Sequence, residues 1–176
     1  PHPLYTIKQR IEEFFPTFAI EDSLNPIVST KANFDSLLIP KDHVSRSTSD
    51  TYYLSADTCL RTHTSAHQVE LLRRGQTQFL CTGDVYRRDD IDKSHYPVFH
   101  QMEGVKVFDG NISQEEVLED LKSNLEGLAH HLFGPVECRW VDEYFPFTDP
   151  SLELEIRYQD DWLEVLGCGV MKPQIL

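Results

Sequence analysis

Residues 82–108 constrain the fold of this chain more than any other part of its sequence. The segment passes from Gly83 to Arg87, crosses an acidic loop, and returns as an alternating run that contains Gln101 and Glu103. This layout predicts a long β-hairpin. Because side chains two residues apart on a strand point to the same face, Gln101 and Glu103 should line one surface together. An arginine facing an amide and a carboxylate suits a substrate that carries both an anion and an ammonium group.

Two segments have the apolar spacing of helices. Pro3 suits a first turn, and the apolar residues that follow it predict an amphipathic helix ending before Pro16. Ser113 and Glu116 have the spacing of a capping box, and a leucine stripe follows them as far as Gly134. A long helix whose leucines pack into a core is therefore predicted there.

Alternating patterns predict the strands. Apolar and charged residues alternate strictly over residues 152–158, and a second run follows at 162–166 after a turn at Asp160 and Asp161. This pattern is typical of an antiparallel hairpin with one face in water. Shorter strands are predicted at residues 17–20, 52–54 and 136–141. Helices at the front and middle, with strands from several separate stretches, predict an α+β fold built on an antiparallel sheet flanked by helices.

A cluster of polar residues precedes a short leucine-containing segment that ends at Gly75. The cluster contains His63, Ser65, His67 and Gln68. In one interpretation Ser65 and Gln68 form a capping box for a helix. In the other, the cluster lies at a helix N-terminus, where free N–H groups favour an anion or a carboxylate.

Composition excludes several classes of function. The net charge of −13 argues against a broad nucleic-acid-binding face on these residues, so a polynucleotide would be contacted mostly through other regions. No apolar run approaches the roughly 18 to 20 residues that cross a bilayer. The four cysteines lack a CxxC pair and are expected to be reduced thiols. The eight histidines lack a metal-ligand pattern, so no transition metal held by protein side chains is expected.

Several blocks of the sequence together resemble the catalytic domain of phenylalanyl-tRNA synthetases. The blocks are THTSAHQ at 62–68, GDVYRRD at 83–89, HQMEG at 100–104 and YFPF at 144–147. The run WLEVLGCGV at 162–170 and the opening HPLYTIKQRI are similar to the single-chain organellar (mitochondrial-type) form in particular. The resemblance implies the class II synthetase fold, a largely antiparallel sheet flanked by helices. It also implies an ATP-dependent ligase that makes phenylalanyl-adenylate and transfers phenylalanine to the terminal ribose of its tRNA.

The same resemblance implies roles for single residues. Arg87 is similar to the motif 2 arginine that holds the α-phosphate and the substrate carboxylate, and it is the candidate catalytic residue. Gln101 and Glu103 resemble the pair that takes the α-ammonium group, helped by Ser65 and Gln68.

Further binding residues follow from the matching blocks. The other implied substrate contacts are His63, Ala66, His67, Ser94, His95, Tyr96 and Met102. Of these, Ser94, His95 and Tyr96 resemble loop residues near the ATP phosphates, and Phe99 resembles the residue that stacks on adenine.

The last implied contacts are aromatic and acidic. Phe145 and Phe147 would sandwich the substrate ring edge to face, with simple core packing as the alternative. Glu164 is the candidate for a nucleotide or Mg²⁺ contact, since magnesium takes one or two carboxylates plus phosphate oxygens.

The resemblance also sets expectations about organisation. Residues 1–176 are expected to be a catalytic domain that ends before motif 3 and lacks the anticodon-binding domain, with weak or no aminoacylation of its own. The expected partners are phenylalanine, ATP with Mg²⁺, and tRNA(Phe), without a membrane. A monomer in the mitochondrial matrix or another organelle is expected, with the cytoplasm as the alternative.

Two other functions remain open. One is a catalytically inactive, synthetase-like binding module for phenylalanine or a protein partner. The other is a class II synthetase for a different amino acid, against which the Phe145 and Phe147 pair argues because it suits an aromatic ring.

Overall fold

A computed structural model describes residues 2–108 and 110–175. Its α-helices are α1 (Pro3–Phe14), α2 (Thr30–Asn33), α3 (Gln68–Arg73) and α4 (Gln114–Phe133). Its strands are β1 (Ala19–Glu21), β2 (Ile27–Ser29), β3 (Thr58–Leu60), β4 (Gln78–Tyr86), β5 (Val98–Lys106), β6 (Cys138–Glu143), β7 (Thr148–Tyr158) and β8 (Asp161–Met171). Short 3₁₀ turns occupy Asp35–Leu37, Val44–Arg46 and Thr64–His67.

The chain divides into two compact units. The first unit comprises Pro1–Thr17 and Phe108–Gln174, and the second comprises Phe18–Val107 and Ile175–Leu176. Among the described helices, none combines the length and the apolar character that crossing a bilayer requires.

Both helices of the first unit begin and end where their sequence signals lie. Pro3 opens α1, and Ser113 and Glu116 form the predicted capping box at the start of α4. Gly134 follows α4 with φ 79°, a conformation that glycine adopts without strain. The ring of Phe14 at the end of α1 lies 5.4 Å from the ring of His131, so the two helices pack together.

The first unit also contains the antiparallel sheet β6-β7-β8. Its core consists of Leu154 and Ile156 of β7 packed against Ala129 of α4. Glu153 and Glu155, which alternate with these apolar residues along β7, point to the opposite face of the sheet. The predicted hairpin with one wet face is therefore confirmed, and the leucine stripe of α4 covers its apolar face.

The second unit is built on the sheet β1-β4-β5, in which β4 and β5 pair without a break. The predicted long hairpin is therefore confirmed, and β1 adds to it in parallel through residues that pair with β4. The prediction of a strand at residues 52–54 is wrong. Tyr53 forms an isolated antiparallel bridge with Cys59 of β3, and two backbone hydrogen bonds beside it join Leu54 to Thr58 and Leu60 to Tyr52, but no continuous strand forms there. A run of only three apolar residues does not distinguish a strand from a single bridge, since strand formation depends on how far the pairing with the partner extends.

Candidate functional site

One face of the β4–β5 hairpin carries a row of chemically distinct side chains. Phe99, Gln101 and Glu103 alternate onto the same face of β5. Arg87 follows the end of β4, where its N–H donates to the Pro97 carbonyl at 2.9 Å. Its guanidinium lies 5.1 Å from the centre of the Phe99 ring, within cation–π range. A cation, a ring, an amide and a carboxylate thus follow one another along this face.

The carboxylate of Glu103 is held by two neutral donors. Ser65 Oγ donates to one carboxylate oxygen, and Gln68 Nε2 donates to the other at 2.7 Å. Burial raises the pKa of Glu103, and these two hydrogen bonds oppose the rise. The capping-box interpretation of Ser65 and Gln68 is wrong, since the N-cap residue of α3 is His67 and no side chain forms a cap hydrogen bond there. Leaving a carboxylate that is shielded from water without hydrogen-bond donors costs more free energy than leaving a water-accessible helix end uncapped. The side chains of Ser65 and Gln68 therefore bond Glu103.

The turn that carries Ser65 is tied to the hairpin and to α2. The N–H of Thr64 donates to Gln101 Oε1 at 3.2 Å. Asn33 is buried and bonds Thr62 twice: Asn33 Nδ2 donates to Thr62 Oγ1 at 3.0 Å, and the Thr62 N–H donates to Asn33 Oδ1 at 3.1 Å. Arg87 Nε in turn donates to the Thr62 carbonyl at 3.1 Å. Sequence reasoning missed Asn33, whose only signal is a polar residue opening the apolar block NFDSLLIP.

The two histidines of this segment differ in environment. Burial, with the nearby Arg87 cation as a smaller contribution, lowers the pKa of His63 to about 4, so its ring is neutral. Neither ring nitrogen of His63 has a hydrogen-bond partner among the described residues. His67 Nε2 lies 2.8 Å from Nη1 of Arg61, so this nitrogen bonds Arg61 and not the carboxylate of Glu103. Ala66, between them in the turn, is buried.

Met102 differs from its neighbours in direction. It pairs with Thr82 and alternates onto the opposite face of β5 from Gln101 and Glu103. This arrangement does not support the predicted substrate contact of Met102, because the other predicted contacts of β5 lie on the opposite face of the strand.

The loop between β4 and β5 is organised by Asp92. Its Oδ1 accepts the N–H groups of Ser94 and His95, both at 2.8 Å. A hydrogen bond to Asp92 and the charge of that carboxylate raise the pKa of the His95 ring. Ser94, His95 and Tyr96 are all exposed, so the structure leaves them accessible to a ligand.

In the first unit, Phe145 and Phe147 form a near-parallel pair. Their ring centres are 6.4 Å apart and their planes differ by 25°. Both rings are half-buried, and neither belongs to the buried core around Leu154 and Ile156. Phe145 lies against β8 at Gly167, where a Cβ atom would come within 2.6 Å of the Cζ of the ring.

This close approach gives a testable expectation for Gly167. Replacing it with alanine forces the Phe145 ring out of its position, and overpacking of this kind costs about 1–3 kcal/mol. Urea unfolding of Gly167→Ala would measure the loss. The double variant Gly167→Ala with Phe145→Leu is the control, because the smaller side chain relieves the overlap and should recover stability. An equal loss in both proteins would contradict the expectation.

Carboxylates gather on the polar face of β6-β7-β8. Glu164 is exposed and pairs across the strands with Glu155, which Arg139 also bonds. Burial, and then the charge of Glu164, raises the pKa of Glu153. Among the described residues no group of three side chains is placed to hold a metal ion. A magnesium ion that takes one or two carboxylates and completes its shell with phosphate oxygens is compatible with this set.

Comparisons with known proteins agree on one family. Residues 1–176 match the family described as "tRNA synthetases class II core domain (F)". The chloroplastic/mitochondrial phenylalanine–tRNA ligase of Arabidopsis thaliana is 58% identical over 99% of this chain and 44% of its own length. The mitochondrial phenylalanine–tRNA ligases of Dictyostelium discoideum and Rattus norvegicus are 50% and 47% identical, over 99% of this chain and 46% of their own lengths. The chain thus spans about half the length of the curated relatives it matches.

The solved structures add support for the fold alone. A pyrrolysyl-tRNA synthetase from Desulfitobacterium hafniense superposes with a TM-score of 0.68 at 18% identity, over 97% of this chain and 60% of that one.

Proposed function

The chain belongs to the class II tRNA synthetase core-domain family, and from that premise we propose that it is the amino-acid-activating part of a phenylalanine–tRNA ligase. The family confirms the α+β fold with an antiparallel sheet that the sequence predicted. The proposed reaction joins phenylalanine to the α-phosphate of ATP with release of pyrophosphate. Transfer of phenylalanine to the terminal ribose of tRNA(Phe) follows.

The observation that carries this proposal is the setting of Glu103. Its carboxylate is half-buried, and the two side chains that donate to it, Ser65 and Gln68, are neutral. Desolvation of this anion is offset only by neutral donors among the described residues, and the α-ammonium group of an amino acid supplies the opposite charge. Gln101, two residues along the same face, supplies further polar contact to that end of the substrate.

Arg87 is the proposed catalytic residue. Its guanidinium neutralises the substrate carboxylate and the α-phosphate as charge builds at phosphorus. The contact with Phe99 and the bond from Nε to Thr62 hold the guanidinium in place before substrate arrives. Positioning and charge neutralisation carry reactions of this sort, so the proposal requires no nucleophilic side chain.

The remaining predicted contacts are proposals of the same kind. Phe145 and Phe147 supply a half-buried aromatic surface for the phenylalanine ring. Phe99 and His95 bind ATP, the former through the adenine ring. When bound, Mg²⁺ offsets the phosphate charge, and Glu164 with Glu153 is the carboxylate pair that would contact it.

The setting in the cell is also a proposal. Since the named relatives are mitochondrial or chloroplastic enzymes, we place this protein in an organelle. The net charge of −13 supports tRNA contact mainly through residues outside 1–176.

Pyrophosphate exchange tests the proposal directly. The full-length gene product should exchange pyrophosphate into ATP when phenylalanine is present and not with leucine. Exchange that depends on leucine would contradict the assignment. Calorimetric binding of phenylalanine without any exchange would identify an inactive binding module instead.

A further inference from the structure

Arg61 is a buried cation outside the substrate contacts proposed above. It follows β3 and is only 2% exposed. Its Nε donates to the Asp84 carbonyl at 2.8 Å, and its Nη1 donates to the Leu24 carbonyl at 3.3 Å. Burying a guanidinium costs free energy unless its N–H groups donate to acceptors, and those of Arg61 do.

The guanidinium of Arg61 occupies space that a glycine leaves open. A Cβ atom at Gly83 would overlap Nη2 of Arg61. Gly83 pairs directly with Gln101 across the hairpin, so this gap lies on the face that carries Gln101 and Glu103. Gly83 does not belong to the described glycines that have a positive φ. Its backbone conformation is therefore open to any residue, and glycine is required here because it lacks a side chain.

Arg61 also contacts the turn that carries Ser65. Its Nη1 lies 2.8 Å from Nε2 of His67, the last residue of that turn. A guanidinium only donates, so Nε2 of His67 accepts and the proton of the neutral ring is on Nδ1. Nδ1 lies 3.8 Å from a carboxylate oxygen of Glu70 in α3.

These contacts connect two parts of the proposed amino-acid site. On one side Arg61 bonds β4 at Asp84, and on the other it bonds the turn whose Ser65 donates to Glu103. We propose that Arg61, seated in the space left by Gly83, is a positioning residue that holds this turn against the hairpin and so orients the carboxylate of Glu103 for the substrate ammonium group. The inference rests on the proposed function, because it assigns Glu103 that role.

Reciprocal substitution tests the inference. Arg61→Met keeps an aliphatic stem and removes the guanidinium, whereas Gly83→Ala expels it. Each should raise KM for phenylalanine in pyrophosphate exchange about 10-fold, with kcat changed much less, because the carboxylate is misplaced and not lost. In the double variant, Gly83→Ala should add little, since the space is already empty. Two independent effects that multiply would overturn the inference.

The matched control is Arg73→Met, which removes an exposed arginine from α3 in the same unit. KM for phenylalanine should stay at the wild-type value there. Thermal unfolding of every variant shows whether the protein still folds, which separates a local change from loss of the fold. If Arg61→Met folds and keeps the wild-type KM for phenylalanine, the inference is overturned.

A second readout does not depend on activity. Burial and then the Arg61 charge lower the pKa of His67. NMR titration of the His67 ring should therefore show a higher pKa in Arg61→Met than in wild type, and an unchanged titration would overturn the contact. Absence of phenylalanine-dependent exchange in the wild-type protein would instead refute the proposed function, which keeps the two failures distinguishable.

Discussion

Replacing Glu103 with glutamine is expected to lower kcat/KM for phenylalanine activation about 100-fold without destabilising the protein. A 100-fold loss corresponds to about 2.7 kcal/mol, within the range for losing one partner of a buried charge pair. Glutamine has nearly the same shape and keeps an acceptor for Ser65 or Gln68, while the negative charge is removed. Pyrophosphate exchange measures the first effect, and urea unfolding measures the second.

The pH dependence of this difference has a definite sign. Burial raises the folded-state pKa of Glu103 above its unfolded value, so its contribution to stability is complete below the unfolded pKa and is lost as pH rises through the folded pKa. The unfolding free energy of wild type should therefore fall relative to Glu103→Gln as pH rises from about 4 toward neutral. Exposed Glu119 provides the control, since Glu119→Gln should change neither exchange nor this pH dependence. A pH-independent difference for Glu103→Gln would contradict the expectation.

Replacing Arg87 with lysine is expected to lower kcat about 100- to 1,000-fold, with a smaller effect on KM for phenylalanine. Loss of one preorganised donor to a developing negative charge has this magnitude in other enzymes. Lysine keeps the charge but loses the guanidinium that lies over Phe99 and donates to the Thr62 carbonyl. Single-turnover formation of the adenylate would measure the chemical step directly.

The neighbouring Arg88 is the matched control for Arg87. Its guanidinium lies 5.3 Å from the centre of the Tyr52 ring, and its N–H donates to the Asp50 carbonyl. Arg88→Lys should therefore leave exchange within about threefold of wild type, as is usual for surface substitutions. Equal losses at both positions would show that local folding, and not the role of Arg87, sets the rate.

Local patterns in the sequence were sufficient for much of the fold. The limits of α1 and α4, the capping box at Ser113 and the β4–β5 hairpin agree with the structure. Alternation also placed Gln101 and Glu103 on one face. These features arise from periods of two and 3.6 residues and from caps within three residues, so short windows contain them.

Side-chain partners far apart in sequence were not predictable in the same way. Ser65 and Gln68 have a spacing that fits a helix cap, and the competition was decided by Glu103, 35 to 38 residues away. The position of the Phe145 ring depends likewise on the space left at Gly167 in another strand. A local pattern contains no information about which distant group has the greater demand for a partner.

The sequence by itself determined the family, the hairpin, and the residue types for an ammonium group and a phosphate. Only the tertiary structure decided that Glu103 lies half-buried between neutral donors and that Arg61 fills the space at Gly83. The physical reason is desolvation: a charge removed from water takes whichever donors, acceptors and space the packed chain brings to it. That choice is made between residues tens of positions apart, after the helices and strands have already been specified.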